Sequence, residues 1–235
     1  LLEVVSNYDD ELMELAMNEQ PVPPEMLPRA LRKATLTHEV QPVFCGSALD
    51  YIGVPPVLDA VTKYLPSPAD KPPVTGMEKT KKKEDVEGSR KPDPKDPFCG
   101  LVYKVVAAKT GDLSFIRVYS GSLKANSRVL NPGKNKKEYV AQLWRIQAAR
   151  KEQTAEVGAG DIVGIIGLRH SVTGDTLCDA QNPILLESID FPETVISMAI
   201  EPETTNERKK LSEVLDLMKR QDPTFNAIES EESGQ

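Results

Sequence analysis

The stretch Gly111–Gly121 reads Gly-Asp-Leu-Ser-Phe-Ile-Arg-Val-Tyr-Ser-Gly. β-Branched and aromatic residues are dense between its two terminal glycines, and this composition predicts a strand with a turn at each end. More turn-bounded short strands are predicted after it, at Ser127–Asn131, Glu138–Ile146, Ile162–Leu168 and Thr176–Cys178. Such a series predicts a small antiparallel β-barrel, and a β-sandwich is the alternative that the pattern alone leaves open.

Length and composition limit what the chain can be. Its 235 residues suit two or three small domains, and a hydrophobic content of 39% is enough for ordinary cores. The sequence has no run of about 18 apolar residues and no signal-peptide pattern, so it predicts no transmembrane helix. Because the first residue is Leu1 rather than methionine, we expect a piece of a longer protein.

The three cysteines, Cys45, Cys99 and Cys178, are far apart and odd in number. We expect them to be reduced core thiols of a cytoplasmic protein, because disulfide frameworks belong mainly to secreted domains. His38 and His170 have no cysteine or second histidine at ligand spacing. The sequence therefore predicts no metal site.

The net charge of −7 is distributed unevenly along the chain. Residues 98–178 contain twelve Lys and Arg against six Asp and Glu, a balance of +6, whereas residues 1–68 carry −6 and residues 179–235 carry −8. A basic barrel in an acidic chain indicates a phosphate-binding face. A solvated barrel without a partner is the alternative interpretation of the same charges.

Helices and one strand are predicted before the barrel. One helix covers Leu1 to Asn18 and a second begins near Pro24. Gln41–Cys45 is predicted to be a short strand, followed by a small-residue turn and another helix. The turn between a strand and a helix is a common ligand site in α/β proteins, although an unliganded turn explains the spacing equally well. The apolar face of the last helix consists of Val57, Leu58, Val61 and Leu65.

Residues 42–49, Pro-Val-Phe-Cys-Gly-Ser-Ala-Leu, together with residues 53–68 resemble the end of the GTPase domain of bacterial elongation factor G. In that family Ser-Ala-Leu or Ser-Ala-Phe is the last guanine-nucleotide box. The resemblance implies that the backbone of Ser47 and Ala48 contacts the guanine O6 and that Leu49 packs beside the base. The residues implied in guanine binding are Gly46, Ser47, Ala48 and Leu49.

The family's other nucleotide motifs are missing from the sequence. There is no Gly-x-x-x-x-Gly-Lys-Ser/Thr phosphate loop, no Asp-x-x-Gly box following such a loop for magnesium, and no Asn-Lys-x-Asp box. The phosphate loop supplies amide donors and a lysine to the phosphates. The resemblance thus implies GTP or GDP and magnesium in a full-length protein, whereas we expect no bound nucleotide and no GTP hydrolysis for these residues alone.

A proline- and lysine-rich linker is predicted at residues 67–97. Seven of the 19 prolines lie between Pro66 and Pro97, and Lys79–Asp85 reads Lys-Thr-Lys-Lys-Lys-Glu-Asp. Proline and charge together disfavour a packed core and favour an extended connector. The lysine run could contact nucleic acid phosphates, and a solvated loop is the alternative.

The barrel region resembles the second domain of elongation factor G, most closely at Ser114–Gly121, Ala159–Asp161 and Thr173–Leu177. In that family this domain is a β-barrel that contacts small-subunit ribosomal RNA. Many members carry Arg-Met-His-Ala-Asn-x-Arg after the position of Leu143, where this chain has Gln147 in place of the histidine. The candidate rRNA contacts are Lys124, Lys134, Lys136, Lys137 and Arg145.

The C-terminal residues resemble the start of the family's third domain, a βαββαβ fold. Val195–Pro202 is predicted to be a strand, and Asn206 is predicted to cap a helix that ends near Arg220. Half of such a fold cannot bury its faces fully. We therefore expect an exposed apolar surface near Met198 and Leu215, or artefactual pairing with another chain.

The predicted fold class is multidomain α+β. The resemblance implies the α/β end of a P-loop GTPase domain with insertion helices at residues 1–66 and the linker at residues 67–97. It implies the translation-factor β-barrel at residues 98–186 and an incomplete βαββαβ ferredoxin-like domain at residues 187–235.

The resemblance implies a fragment of a cytoplasmic ribosomal translocation GTPase that acts in translation elongation. Its implied partners are the ribosome and, indirectly, the tRNA–mRNA complex, with no membrane, and the full-length protein is expected to be a monomer. The alternatives are a paralogous translational GTPase of ribosome protection, recycling or release, and a stand-alone module that binds rRNA or protein.

Overall fold

The computed structural model describes residues 1–79, 85–107, 111–187, 189–191, 194–202 and 204–228. These residues form two compact units, Leu1–Lys71 and Pro72–Gln235. The lysine run at residues 81–83 lies outside the described residues, so its predicted phosphate contact stays a prediction.

The first unit is helical where the sequence predicted helices, but its first helix is broken. The backbone of Asp9 is extended, and its carboxylate accepts a hydrogen bond from the Leu12 amide at 3.2 Å. An aspartate that caps a downstream amide starts a new helix rather than continuing the old one. The elements are α1 (Leu2–Val5), a 3-10 turn (Ser6–Tyr8), α2 (Asp10–Met17), α3 (Met26–Leu36), α4 (Val54–Tyr64) and a second 3-10 turn (Pro68–Asp70).

The strand predicted at Gln41–Cys45 is not formed. A strand is stable only when its backbone pairs with a neighbour, and the described residues of the first unit contain no other strand. Val43 is consequently 90% exposed, and the predicted apolar face of α4 is exposed at Leu58. Cys45 is also exposed, so the prediction of three core thiols is wrong for this cysteine.

The predicted linker contains a β-hairpin. Strands β1 (Val74–Lys79) and β2 (Asp85–Arg90) pair antiparallel from Val74↔Arg90 to Lys79↔Asp85. This differs from the extended connector that proline and charge favoured, because the prolines flank the two strands and leave the ladder intact.

The barrel is built from eight antiparallel strands in the order β7-β6-β12-β3-β4-β11-β8-β9, and β5 pairs separately with β10. Its central strand and its glycine-marked turns are as predicted, and Gly121 has φ +69. The strands are β3 (Cys99–Val106), β4 (Leu113–Ser120), β5 (Ser122–Lys124), β6 (Ser127–Asn131), β7 (Lys136–Val140), β8 (Gln142–Gln147), β9 (Arg150–Thr154), β10 (Glu156–Gly158), β11 (Ile162–Ile166) and β12 (Thr176–Cys178).

The chain changes pairing partner at Ala141. The single strand predicted over Glu138–Ile146 is present as β7 and β8, which this one residue separates. β7 pairs with β6 at one end of the pairing order while β8 pairs with β11 near the other end, so the sheet curls around its core at this bend. Within the curled sheet, Val102, Ile116, Leu143, Ile165 and Leu177 are fully buried, and each such side chain contributes about 1.5–3 kcal/mol.

A second layer covers one side of the barrel. Strand β13 (Leu185–Leu186) pairs with β1 and makes a three-stranded sheet, β13-β1-β2. Ile184 and Leu186 of this layer pack against Cys99 and Cys178 of the barrel in a small apolar cluster. We call this three-stranded sheet the cover sheet.

The C-terminal described residues contain one helix, α5 (Thr205–Gln221). Its cap is Thr204 rather than the predicted Asn206. Residues 194–202 form no strand, and the expected exposed apolar surface is present, because Met198 is 84% exposed and Leu215 is half-buried.

Candidate functional site

The turn from Gly46 to Gly53 is held by its own hydrogen bonds. Ser47 and Ile52 exchange two backbone hydrogen bonds of 3.0 Å, and the Ser47 hydroxyl donates to Asp50 Oδ2 at 2.7 Å. Gly53 caps α4 with φ +80, and a Cβ on Gly46 would lie 2.5 Å from the Ile52 carbonyl oxygen. Both glycines are therefore required for the two backbone segments to approach each other.

The hydrogen bonds within this turn determine which backbone amides are available to bind a ligand. The Ser47 amide is already engaged with Ile52, whereas the amides of Ala48 and Leu49 have no hydrogen-bond partner in the described part of the chain. The Leu49 side chain is 88% exposed. The turn thus offers two neighbouring backbone donors and one apolar side chain to a flat polar ring.

Three of the five basic candidates on the barrel are paired with carboxylates. Lys124 Nζ lies 3.8 Å from Glu156, Lys134 Nζ lies 2.8 Å from Asp175, and Arg145 lies 3.2 Å from Asp161. Lys124 and Arg145 are also away from the turn that joins β6 to β7. The five residues therefore do not form one surface.

Basic residues also lie at the turn between β6 and β7 and at the start of β7. Lys136 and Lys137 are exposed there, and neither forms an ion pair with any residue that the structure describes. The Lys134 ammonium also donates to the His170 carbonyl at 2.7 Å, which brings the loop between β11 and β12 alongside. We call the resulting surface the hairpin-tip cluster, and its members are Lys134, Lys136, Lys137, Arg169 and His170.

A buried carboxylate fixes this cluster. Glu138 is only 2% exposed, and it accepts hydrogen bonds from the Arg169 amide (2.9 Å), the His170 amide (2.7 Å) and the Ser171 hydroxyl (2.8 Å). A buried charge is tolerated when several donors satisfy it. The side chains of Arg169 and His170 are thereby held on a fixed backbone while they stay exposed.

A second set of hydrogen bonds ties the same loop to β6. Asn131, fully buried, donates to Ser171 Oγ at 3.0 Å and to Asp175 Oδ2 at 2.9 Å. Asp175 also accepts from the Val172 amide at 2.9 Å. Lys134 and the loop that carries Arg169 and His170 therefore belong to one polar network.

Sequence reasoning missed Arg169 and His170. They lie more than 30 residues from Lys134 along the chain, and only the pairing of the strands brings them together. The residue that could have indicated the link is Glu138, a charged residue at an inward position of a strand that otherwise alternates.

Gln147 lies at the end of β8 opposite Arg150. Together with Arg145 and Asp161 these residues line a shallow cleft of about 400 Å³. Because Arg145 and Arg150 each have a carboxylate within 4 Å, the cleft carries little net charge.

Comparison with known proteins covers the whole chain. Residues 111–178 match the family model Elongation factor Tu domain 2, and residues 191–235 match Elongation Factor G, domain III. All of the chain aligns with Elongation factor G 2 of Desulfotalea psychrophila at 45% identity and with Elongation factor G of Salinibacter ruber at 44% identity. The chain spans 34% and 33% of the length of these two relatives.

A solved structure supports the fold. The crystal structure of a protein from Thermus thermophilus superposes with a TM-score of 0.72 and 22% identity, over 99% of this chain and 32% of that one. The multidomain fold class with a translation-factor barrel is therefore confirmed. No helix among the described residues is long and apolar enough to cross a membrane.

Proposed function

We propose, from the premise that this chain is a segment of an elongation factor G-like protein, that it serves the translocation step of translation elongation on the ribosome. In this proposal the barrel is a docking module for small-subunit rRNA. The tRNA–mRNA complex is an indirect partner, and the cytoplasm is the compartment.

The hairpin-tip cluster is the observation that carries the docking proposal. Its basic residues lie on the β6–β7 turn, at the start of β7 and on the β11–β12 loop, and Glu138 and Asp175 hold these segments together. Lys136 and Lys137 have no carboxylate among the described residues to neutralise them. A pre-ordered set of cations binds phosphates with little loss of conformational freedom. Lys124 and Arg145 are weaker candidates, because a phosphate has to compete with Glu156 and Asp161.

The docking proposal is tested by binding of the chain to purified small ribosomal subunits. We expect the double variant Lys136→Gln/Lys137→Gln to weaken binding at low salt by at least about tenfold, since each lost phosphate contact removes a released counterion. The double variant Lys63→Gln/Lys71→Gln, with the same change in net charge on exposed sites of the first unit, is the matched control. Equal weakening by both variants would show only a net-charge effect and would overturn the proposal.

The turn Gly46–Gly53 is proposed to contact the guanine base of GTP or GDP in a full-length protein. The Ala48 amide is the donor best placed for the guanine O6, because the Ser47 amide is engaged with Ile52. Residues outside this chain would then hold the phosphates and magnesium.

A glycine substitution tests the turn in the full-length protein. Gly46→Ala places a methyl group 2.5 Å from the Ile52 carbonyl and should separate the two segments, weakening GDP binding by about tenfold or more. Gly158→Ala is the control, because its added methyl group meets nothing within 4 Å. Unchanged GDP affinity in the Gly46 variant would contradict a base-contacting role.

Gln147 favours one second candidate, a paralogous translational GTPase with a role in ribosome protection, recycling or release. The full-length protein discriminates between the two. Single-turnover movement of tRNA supports translocation, whereas ribosome splitting without such movement supports the paralogue.

A further inference from the structure

Two thiols lie directly opposite each other inside the second unit. Cys99 of β3 and Cys178 of β12 are register partners, both are fully buried, and both are free. Residues directly opposite in an antiparallel pair project from the same face of the sheet. The two sulfur atoms are therefore neighbours although the cysteines are far apart in the sequence.

The hydrogen bonds around the pair define its type. The Asp179 amide donates to the Phe98 carbonyl at 2.9 Å, and the Val102 amide donates to the Asp175 carbonyl at 2.9 Å. Bonded pairs alternate with non-bonded pairs along an antiparallel ladder, so Cys99 and Cys178 occupy a non-hydrogen-bonded position. Cα atoms at such positions are about 4.5 Å apart, which falls within the roughly 4.4–6.8 Å that a disulfide spans.

The cover sheet keeps oxidants away from the pair. Ile184 and Leu186 pack on the two cysteines, and burial raises the pKa of the Cys99 thiol to about 12 and also raises the pKa of Cys178. The Ile184 amide and the positive charge of Arg90 lower the pKa of Cys178 against this effect of burial, whereas the negative charge of Asp179 raises it further. Cys178 differs from Cys99 in having the Ile184 amide beside its sulfur, and for this reason we assign it the first reaction once the cover sheet lifts.

Arg90 of β2 ties the cover sheet to the loop between β12 and β13. It is 9% exposed, pairs with Glu78 of β1 and donates to the Asn182 carbonyl at 3.2 Å. Its Nε has no hydrogen-bond partner among the described residues. A buried guanidinium with an unused donor lies close enough to influence both thiols, so loss of Arg90 should both loosen the cover sheet and change the environment of the sulfur atoms.

We propose that Cys99 and Cys178 are a disulfide-forming modification site for hydrogen peroxide, opened by movement of the cover sheet. The Cys178 thiolate attacks one peroxide oxygen and the O–O bond breaks, which gives a sulfenic acid and one water after protonation. The Cys99 sulfur then attacks Cys178, the S–O bond breaks, and a second water leaves. Two thiols and one peroxide thus give one disulfide and two waters, with sulfur oxidised and peroxide oxygen reduced.

The test uses the whole chain with Cys45→Ser, which removes the exposed thiol. After peroxide treatment and alkylation of remaining thiols, peptide mass spectrometry should find a Cys99–Cys178 cross-linked peptide and no intermolecular cross-link. The variant Arg90→Gln should form the cross-link several-fold faster, whereas Lys63→Gln, an exposed change in the first unit, should leave the rate unchanged.

Single-cysteine variants keep the test decisive. With Cys99→Ala, a sulfenic-acid probe such as dimedone should label Cys178, and with Cys178→Ala the label on Cys99 should be much weaker. Trp144 fluorescence verifies that each variant is folded. Two results would overturn the proposal: free Cys99 and Cys178 thiols after oxidation of the Arg90→Gln protein, or sulfinic acid at Cys178 without a cross-link.

Discussion

Replacement of Glu138 by glutamine should destabilise the barrel without changing its shape. The Oε1 atom of Glu138 accepts from the His170 amide and the Ser171 hydroxyl, and Oε2 accepts from the Arg169 amide. Glutamine keeps only one acceptor oxygen, so its NH₂ group, which is itself a donor, faces one of these buried donors and cannot accept its hydrogen bond. One charge-assisted bond is lost, at about 1.5–3 kcal/mol, and the remaining bonds weaken because the acceptor is no longer charged.

Relief from burying a charge offsets part of this loss, so we expect a net destabilisation of about 2–3 kcal/mol. Urea unfolding followed through Trp144, the single tryptophan and a barrel residue, measures it directly. With a slope of about 2 kcal/mol per molar urea, the midpoint should fall by roughly 1–1.5 M.

The control for this prediction is Glu156→Gln. Glu156 is exposed and lies 3.8 Å from Lys124, and such a pair is worth at most about 0.5–1 kcal/mol. A Glu138→Gln midpoint that moves no further than the control would refute the role of Glu138 as the anchor of the β11–β12 loop.

Two other outcomes are expected. Because the folded-state pKa of Cys99 is raised from 9.0 to about 12, the neutral thiol stabilises the barrel fully below pH 9, and this stability is lost as pH rises toward 12, at up to about 1.4 kcal/mol per pH unit. The urea midpoints of the wild type and of Cys99→Ala, measured from pH 8 to 11, should therefore converge. Parallel curves would contradict the burial of this thiol. Asp9→Ala should remove the cap of α2 and lower the free energy of unfolding of the first unit by about 1 kcal/mol. The urea midpoint followed by circular dichroism at 222 nm should fall accordingly, and Asp10→Ala, the next residue in the chain, should lower it less.

The barrel could be predicted from sequence because its strands are local patterns. Gly111–Gly121 is dense in β-branched and aromatic residues and is bounded by glycines, and the structure has β4 within these limits. The break at Ala141 could not be predicted, since Glu138–Ile146 contains no glycine or proline to mark the bend between β7 and β8. The hairpin formed by β1 and β2 was missed because charge and proline content indicate only how well a segment as a whole is solvated. They do not show that β1 also pairs with β13, a strand that is distant in the sequence.

The strand predicted at Gln41–Cys45 is the opposite kind of error, a strand that was predicted and is not formed. Its residues have the composition of a buried strand, but pairing depends on a neighbour, and the described residues of the first unit provide none. Composition indicates what a segment can become, and only the available partners determine whether it does.

For the candidate site, charge counting indicated a basic barrel but not the local partners of its side chains. Lys136 and Lys137 are exposed and have no ion-pair partner within the described residues, whereas Lys124 and Arg145 are paired with carboxylates that sequence reasoning did not assign to them. Arg169 joins the cluster through the hydrogen bond between its amide and Glu138, which spans 31 residues. Contacts of this range follow from strand order and not from spacing.

The most direct test of the account is the salt dependence of binding between this chain and small ribosomal subunits. If the hairpin-tip cluster contacts phosphates, the logarithm of the association constant should fall linearly with the logarithm of salt concentration. The slope should become shallower by roughly 1.4–1.8 in Lys136→Gln/Lys137→Gln, the value for two lost phosphate contacts. A slope near zero for the wild type, or the same slope in both proteins, would contradict rRNA docking through this cluster.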